Sequence, residues 1–283
     1  MKSTWMLVAG LLFAIMGVFV KLASSQFSSA ELVFYRSLFG LVLIYSVIRR
    51  RHPHLSRPFS TRHWLAHLVR SISGLVALLL FFHAIDVLPL ATAVTLNYTS
   101  PLFLALLLTL WQGEKPHWPL LAGVALGFCG VVLLLRPSFE SAQWSAGLMG
   151  LVSGFLAGVA YLNVRTLSYM GEPDWRTVFY FTLVSTLGAG TWAAWHGWHA
   201  VNAHTALLLL GLGMTATLAQ LALTRAYRLG NALTVGSLAY STVIFASLFG
   251  VVLWHEILPL QAWLGMGLIV VSGLVSVRAV GAK

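Results

Sequence analysis

Residues 84–126 recur 142 positions downstream: Thr92, Leu96, Tyr98, Phe103, Leu106, Glu114 and Gly123 return as Thr234, Leu238, Tyr240, Phe245, Leu248, Glu256 and Gly265. The repeated stretch is apolar and long enough for one membrane crossing, a turn and another crossing. The duplicated object is therefore a set of membrane helices, an arrangement common among carriers. Hydrophobic residues make up 59% of the 283, charged residues 8%, and mean hydropathy is +0.86. Soluble domains carry roughly 25% charge, so lipid is the solvent this chain expects.

Ten apolar spans are predicted, starting near Thr4, Glu31, Trp64, Leu90, Trp118, Ser145, Arg176, Thr205, Ala232 and Leu260. They leave almost no sequence for a soluble domain. Met1-Lys2 with Trp5 to Val20 has the outline of a secretory leader, but nine similar segments follow and no small-residue cleavage pattern stands out. It reads as the first span. The polar interruption from Arg136 to Trp144 divides the chain into residues 1–136 and 145–279, five spans each. Because five is odd, the second block enters the membrane from the opposite face. The fold class expected is an all-α membrane protein of ten transmembrane helices in two inverted five-helix repeats.

A formal charge of +10 raises the question of a nucleic-acid partner, and the positions of the basic residues answer it. With the N-terminus cytoplasmic, Lys2, Arg49, Arg50, Arg51, Arg57, Arg62, Arg70, Lys115, Arg165, Arg176, Arg225, Arg228, Arg278 and Lys283 fall on the inner side. Lys21 and Arg136 remain outside, with Arg36 just within the second span. This is the positive-inside bias, and it predicts both termini in the cytoplasm, with membrane lipid as the partner of the basic clusters and no nucleic acid. The lone Cys129 lies in the fifth span as a small hydrophobe and forms no internal disulfide.

The run Thr99-Ser100-Pro101-Leu102-Phe103 to Gly113-Glu114, followed by Pro116 and by Gly123, Gly127 and Gly130, resembles the EamA repeat of the drug/metabolite transporter superfamily. Tyr240 to His255-Glu256, followed by Pro259 and Gly265, is similar to the same repeat, with Val243 in place of Pro101. Phe34-Tyr35-Arg36-Ser37 extends the likeness to the second span. The resemblance implies a ten-helix carrier of small metabolites, often exporting them across a bacterial inner membrane. Amino acids, aromatic ones included, and diverse drugs are the cargoes it implies.

Glu114 and Glu256 each stand just before a proline that suits the first turn of the next helix. A carboxylate there meets free N–H groups and the positive dipole end, so a structural cap is expected, with ion coupling the alternative. The paired Tyr98 and Tyr240 lie above and below the midplane, too deep for an interfacial belt, and suit two alternating gates lined by flat apolar faces. Asn97, His83, Tyr161 and Gln220 are further substrate-contact candidates, each equally able to bond neighbouring helices. His83, three residues from Asp86, also suits proton exchange. Arg36 is expected to snorkel to the outer headgroups, or else to brace the bundle or meet an anionic group. Gly150, Gly154 and Gly158 place small residues on one face, for close packing within a monomer or between two copies.

A membrane-embedded enzyme would need converging His, Asp or Glu residues, such as a His-Glu-x-x-His helix. Here His255-Glu256 is followed by Ile257-Leu258-Pro259, and no Walker loop is present. The reading is a secondary carrier, not an enzyme, with no cofactor and no metal. With deep basic residues nearly absent, neutral, zwitterionic or hydrophobic metabolites are expected, with export of amino acids, especially aromatic or hydrophobic ones, first and xenobiotic efflux second.

Overall fold

The computed structural model describes residues 4–51, 58–111, 141–230 and 232–281, and the isolated positions 122, 126, 127, 129, 130 and 133. Glu114 and the start of the fifth span near Trp118 lie outside them. The helices in chain order are α1 (Trp5–Ala23), α2 (Ser29–Arg51), α3 (Trp64–Val87), α4 (Leu90–Asn97), α5 (Ser100–Trp111), α6 (Ser141–Tyr169), α7 (Asp174–His196), α8 (Ala203–Leu229), α9 (Ala232–Ala239), α10 (Ser241–Trp254) and α11 (Leu260–Gly281). Six described stretches are long and apolar enough to cross a bilayer, α4 and α5 together forming one of them. Apart from the fifth span, every described crossing begins within a few residues of its expected start.

Packing follows the inverted duplication. The contact of α3 on α6 has its counterpart in α8 on α1, and α3 on α7 answers to α8 on α2, while α2 and α7 pack on each other across the axis. Large apolar residues such as Leu207, Leu218, Ile244 and Leu264 point outward, where lipid accepts them, so apolar burial alone cannot hold the helices together. Small residues do much of that work. A Cβ at Gly154 would lie 2.6 Å from the Leu96 carbonyl oxygen, and one at Gly10 would lie 2.7 Å from Ser241 Oγ. Gly150, Gly154 and Gly158 all face α4 and α5, so this glycine stripe is buried inside one chain rather than offered to a second copy.

The fourth and ninth spans are interrupted, and at equivalent places. In the first half, α4 stops at Asn97 and α5 resumes at Ser100; in the second, α9 stops at Ala239 and α10 resumes at Ser241. Pro101 has no N–H to give the Asn97 carbonyl, and Thr99 Oγ1 donates to the Leu96 carbonyl at 2.7 Å instead. Val243 keeps its N–H and bonds the Tyr240 carbonyl at 3.0 Å, a tightened turn that breaks the helix without proline. Backbone irregularity at this depth is tolerated only where protein or a cavity surrounds it.

Candidate functional site

Where the two interruptions approach each other, a cavity opens along the seam between the halves. It is lined by Arg36 from α2, Arg70 and Gly74 from α3, Asn97 and Tyr98 at the first break, Tyr161 from α6, Phe181 from α7, Gln220 from α8 and Thr242 at the start of α10. Its volume is ≈ 60 Å³, space for a few water molecules. A metabolite enters only if the halves part.

The two arginines were the least expected members. Arg36 is 3% exposed and Arg70 2%, so Arg36 does not snorkel to the headgroups and Arg70 does not serve as an inner-surface charge. Each lies about 10 Å along its helix from the end at which it starts, at 1.5 Å per residue, and α2 and α3 start from opposite faces. The side chains therefore converge near mid-membrane. Both guanidinium carbons sit over the Phe181 ring, Arg70 at 3.8 Å and Arg36 at 5.7 Å from its centroid. Nε of Arg36, and Nε and Nη1 of Arg70, are buried without a hydrogen-bond partner, as is Nε2 of Gln220. The expectation that deep basic residues are nearly absent is corrected here. A lone Arg several residues inside an apolar span was the available signal, and two of them in adjacent spans from opposite ends made it stronger.

Among the residues expected at the site, Asn97, Tyr98, Tyr161 and Gln220 line the cavity. Asn97 Nδ2 donates to Ser153 Oγ at 3.0 Å, which ties the first break to α6. Tyr161 stacks on Tyr227 with centroids 5.5 Å apart. Tyr240 is 2% exposed in the core at the second break, outside the cavity lining, so the two tyrosines occupy unlike environments. His83 is half-buried away from the cavity, and among the described residues no ion pair joins it to Asp86.

Glu256 does meet a helix N-terminus, though not that of the following helix. Its Oε1 accepts from the Leu90 N–H at 2.8 Å, capping α4 in the other half, and from Lys21 Nζ at the same distance. Lys21 also donates to the Leu88 carbonyl at 3.1 Å. One carboxylate thus ties together the end of α1, the start of α4 and the end of α10, on the face opposite the chain termini. On the same face, Glu31 accepts from the His199 N–H at 2.7 Å and pairs with His199 Nδ1 at 2.8 Å. The inverted counterpart lies on the terminal face. Gly171, at φ 79°, ends α6 in a Schellman turn and delivers Glu172, which accepts from the Thr61 hydroxyl and pairs with Arg176 at 2.8 Å. Arg176 Nη2 donates onward to the Pro58 carbonyl at 2.9 Å.

An inverted pair of helical repeats, each with a broken helix at a largely apolar mid-membrane cavity that holds two arginines, defines a membrane carrier rather than an enzyme. Comparison with known proteins agrees: residues 2–136 and 144–278 each match the EamA-like transporter family, and the chain belongs to it. It is 32% identical to an uncharacterised transporter of Helicobacter pylori, over 95% of this chain and 91% of that one. It is also 32% identical to the pseudopaline exporter CntI of Pseudomonas aeruginosa, over 94% and 92%. The riboflavin transporter of Vibrio cholerae is 26% identical over 95% and 90%. A solved crystal structure superposes over the whole of both chains with a TM-score of 0.72 at 16% identity, a likeness of fold. The protein is a multi-pass transporter of small metabolites.

Proposed function

We propose that this carrier moves carboxylate-bearing metabolites, amino acids being the simplest, outward across a bacterial inner membrane by alternating access. The blocks 1–136 and 145–279 rock about the α2–α7 contact, and both termini are cytoplasmic. The observation that carries the reading is the seam cavity, whose lining comes from both halves and from both helix breaks. It is too small for cargo in this conformation, as a state between the two open forms requires. Arg36 and Arg70 supply the carboxylate contact, while Tyr98, Tyr161 and Phe181 supply flat apolar faces for the rest of the solute. The relative named as a pseudopaline exporter supports the outward direction. The excess of basic residues in alternate loops supports the orientation.

Counterflow in proteoliposomes tests this reading. Vesicles loaded with an unlabelled amino-acid mixture are expected to accumulate labelled amino acid transiently, and Arg36→Gln or Arg70→Gln to abolish it. Accumulation at the rate of protein-free vesicles would remove the carrier assignment for these solutes.

A further inference from the structure

We infer that Arg36 and Arg70 form a clamp that selects cargo bearing two carboxylate groups; the inference rests on the carrier reading above and sharpens its substrate class. Among the described lining residues, the buried polar atoms without a partner are the Thr242 hydroxyl, which can accept as well as donate, and four N–H groups. Arg36 Nε, Arg70 Nε, Arg70 Nη1 and Gln220 Nε2 are all buried donors without partners. The five described acidic side chains lie elsewhere: Glu31 on His199, Glu172 on Arg176, Asp174 on Arg228, Glu256 on Lys21, and Asp86 exposed in a shallow groove on the face opposite the termini. Two buried positive charges thus face one small space with no described carboxylate to balance them, a costly arrangement that a bound anion relieves.

The geometry favours two negative groups over one. Both guanidinium carbons lie close to one ring centroid, Arg70 at 3.8 Å and Arg36 at 5.7 Å, so a single carboxylate between them leaves one positive charge uncompensated. Phe181 attracts both cations through its ring, a contact that uses none of their N–H groups and so leaves these to a bidentate acceptor. Gly74 keeps that edge clear, since a Cβ there would lie 2.5 Å from Arg70 Nη1. Thr242, at the N-terminal end of the half-helix α10, adds the positive end of a dipole to the lining. A neutral amino acid brings one carboxylate, enough for one guanidinium, whereas a dicarboxylate brings four acceptor oxygens and the matching charge for both.

The test uses the full-length carrier purified in detergent and follows thermal unfolding by tryptophan fluorescence, with succinate, succinamide and sodium chloride at matched ionic strength. Succinate is expected to raise the unfolding midpoint saturably, with an apparent affinity roughly tenfold or more above that of succinamide. Chloride should have no saturable effect. Arg36→Gln and Arg70→Gln should each remove the succinate response. The wild-type comparison decides the matter even where a variant fails to fold: equal responses to succinate and succinamide, or to chloride, overturn the clamp. Counterflow on the same preparation separates the two readings. Solute movement without preference for dianions sinks the clamp and leaves the carrier; succinate binding without movement of any solute sinks the carrier and leaves the clamp.

Discussion

Arg70 carries a charge that nothing described around it neutralises, held over Phe181 at 2% exposure. A fold gains little from such a residue, because replacing buried charge by a well-packed apolar side chain is often neutral or stabilising by about 1–4 kcal/mol. Arg70→Leu is therefore expected to leave thermal stability unchanged or raised while eliminating transport, a split that unfolding and counterflow measurements read separately. Glu172 behaves in the opposite way. Burial alone would push its carboxyl up, but the hydrogen bonds from Thr61 and Arg176, with the charges of Arg176 and His67, hold it below the usual carboxylate range. A depressed folded pKa means that the Glu172 cluster contributes stability above the unfolded value and loses it as pH falls through the folded one. Thr61→Ala should move the acid limb of the stability profile to higher pH, measurable by fluorescence-monitored unfolding across a pH series.

At the level of elements, the two interrupted spans depend on glycine for their seating. Gly154 abuts Thr99 Oγ1 and the carbonyl oxygens of Leu96 and Asn97, and backbone cannot swing aside as a side chain would. Gly154→Ala is expected to cost roughly 1–3 kcal/mol, as overpacked sites do, and to lower the thermal midpoint. Gly74→Ala meets only the flexible end of Arg70 and a Phe181 edge, so it should disturb transport more than folding. Glu256 closes the face opposite the termini. Glu256→Gln retains an oxygen for the Leu90 N–H yet loses the charge attraction to Lys21. A cysteine at Val94, introduced with Cys129→Ala, is expected to react several-fold faster with a water-soluble maleimide applied to that face. An unchanged rate would show that this ion pair does not govern access.

For the whole molecule, inversion is the property on which everything else rests. Ser25 follows α1 and Met170 follows α6, positions that correspond in the two repeats, and both are exposed. Single cysteines at these sites, with Cys129 replaced, are expected to be labelled by an impermeant maleimide from opposite faces of the cell membrane. Labelling of both from one face would dissolve the inverted architecture and the seam cavity with it. The same symmetry explains the two acidic clamps, Glu31 with His199 and Glu172 with Thr61 and Arg176, which hold opposite faces by equivalent loops.

The described span starts and the all-helical, two-repeat membrane class were legible in the amino-acid order alone. Hydropathy and the parity of crossings are one-dimensional quantities, so each is summed along the chain without knowing which residues touch. Tertiary structure alone decided that Arg36 and Arg70 meet over Phe181, that Tyr98 and not Tyr240 lines the cavity, and that Glu256 caps α4 instead of α11. The physical reason is the solvent. In water, a polar stripe along a helix marks its outer face, but in lipid both the core-facing and the outward-facing sides are apolar, so side-chain direction leaves almost no periodic trace. Which way an arginine points then follows from how its helix is rotated against its neighbours, and small residues such as Gly10, Gly74 and Gly154 set that rotation by their fit.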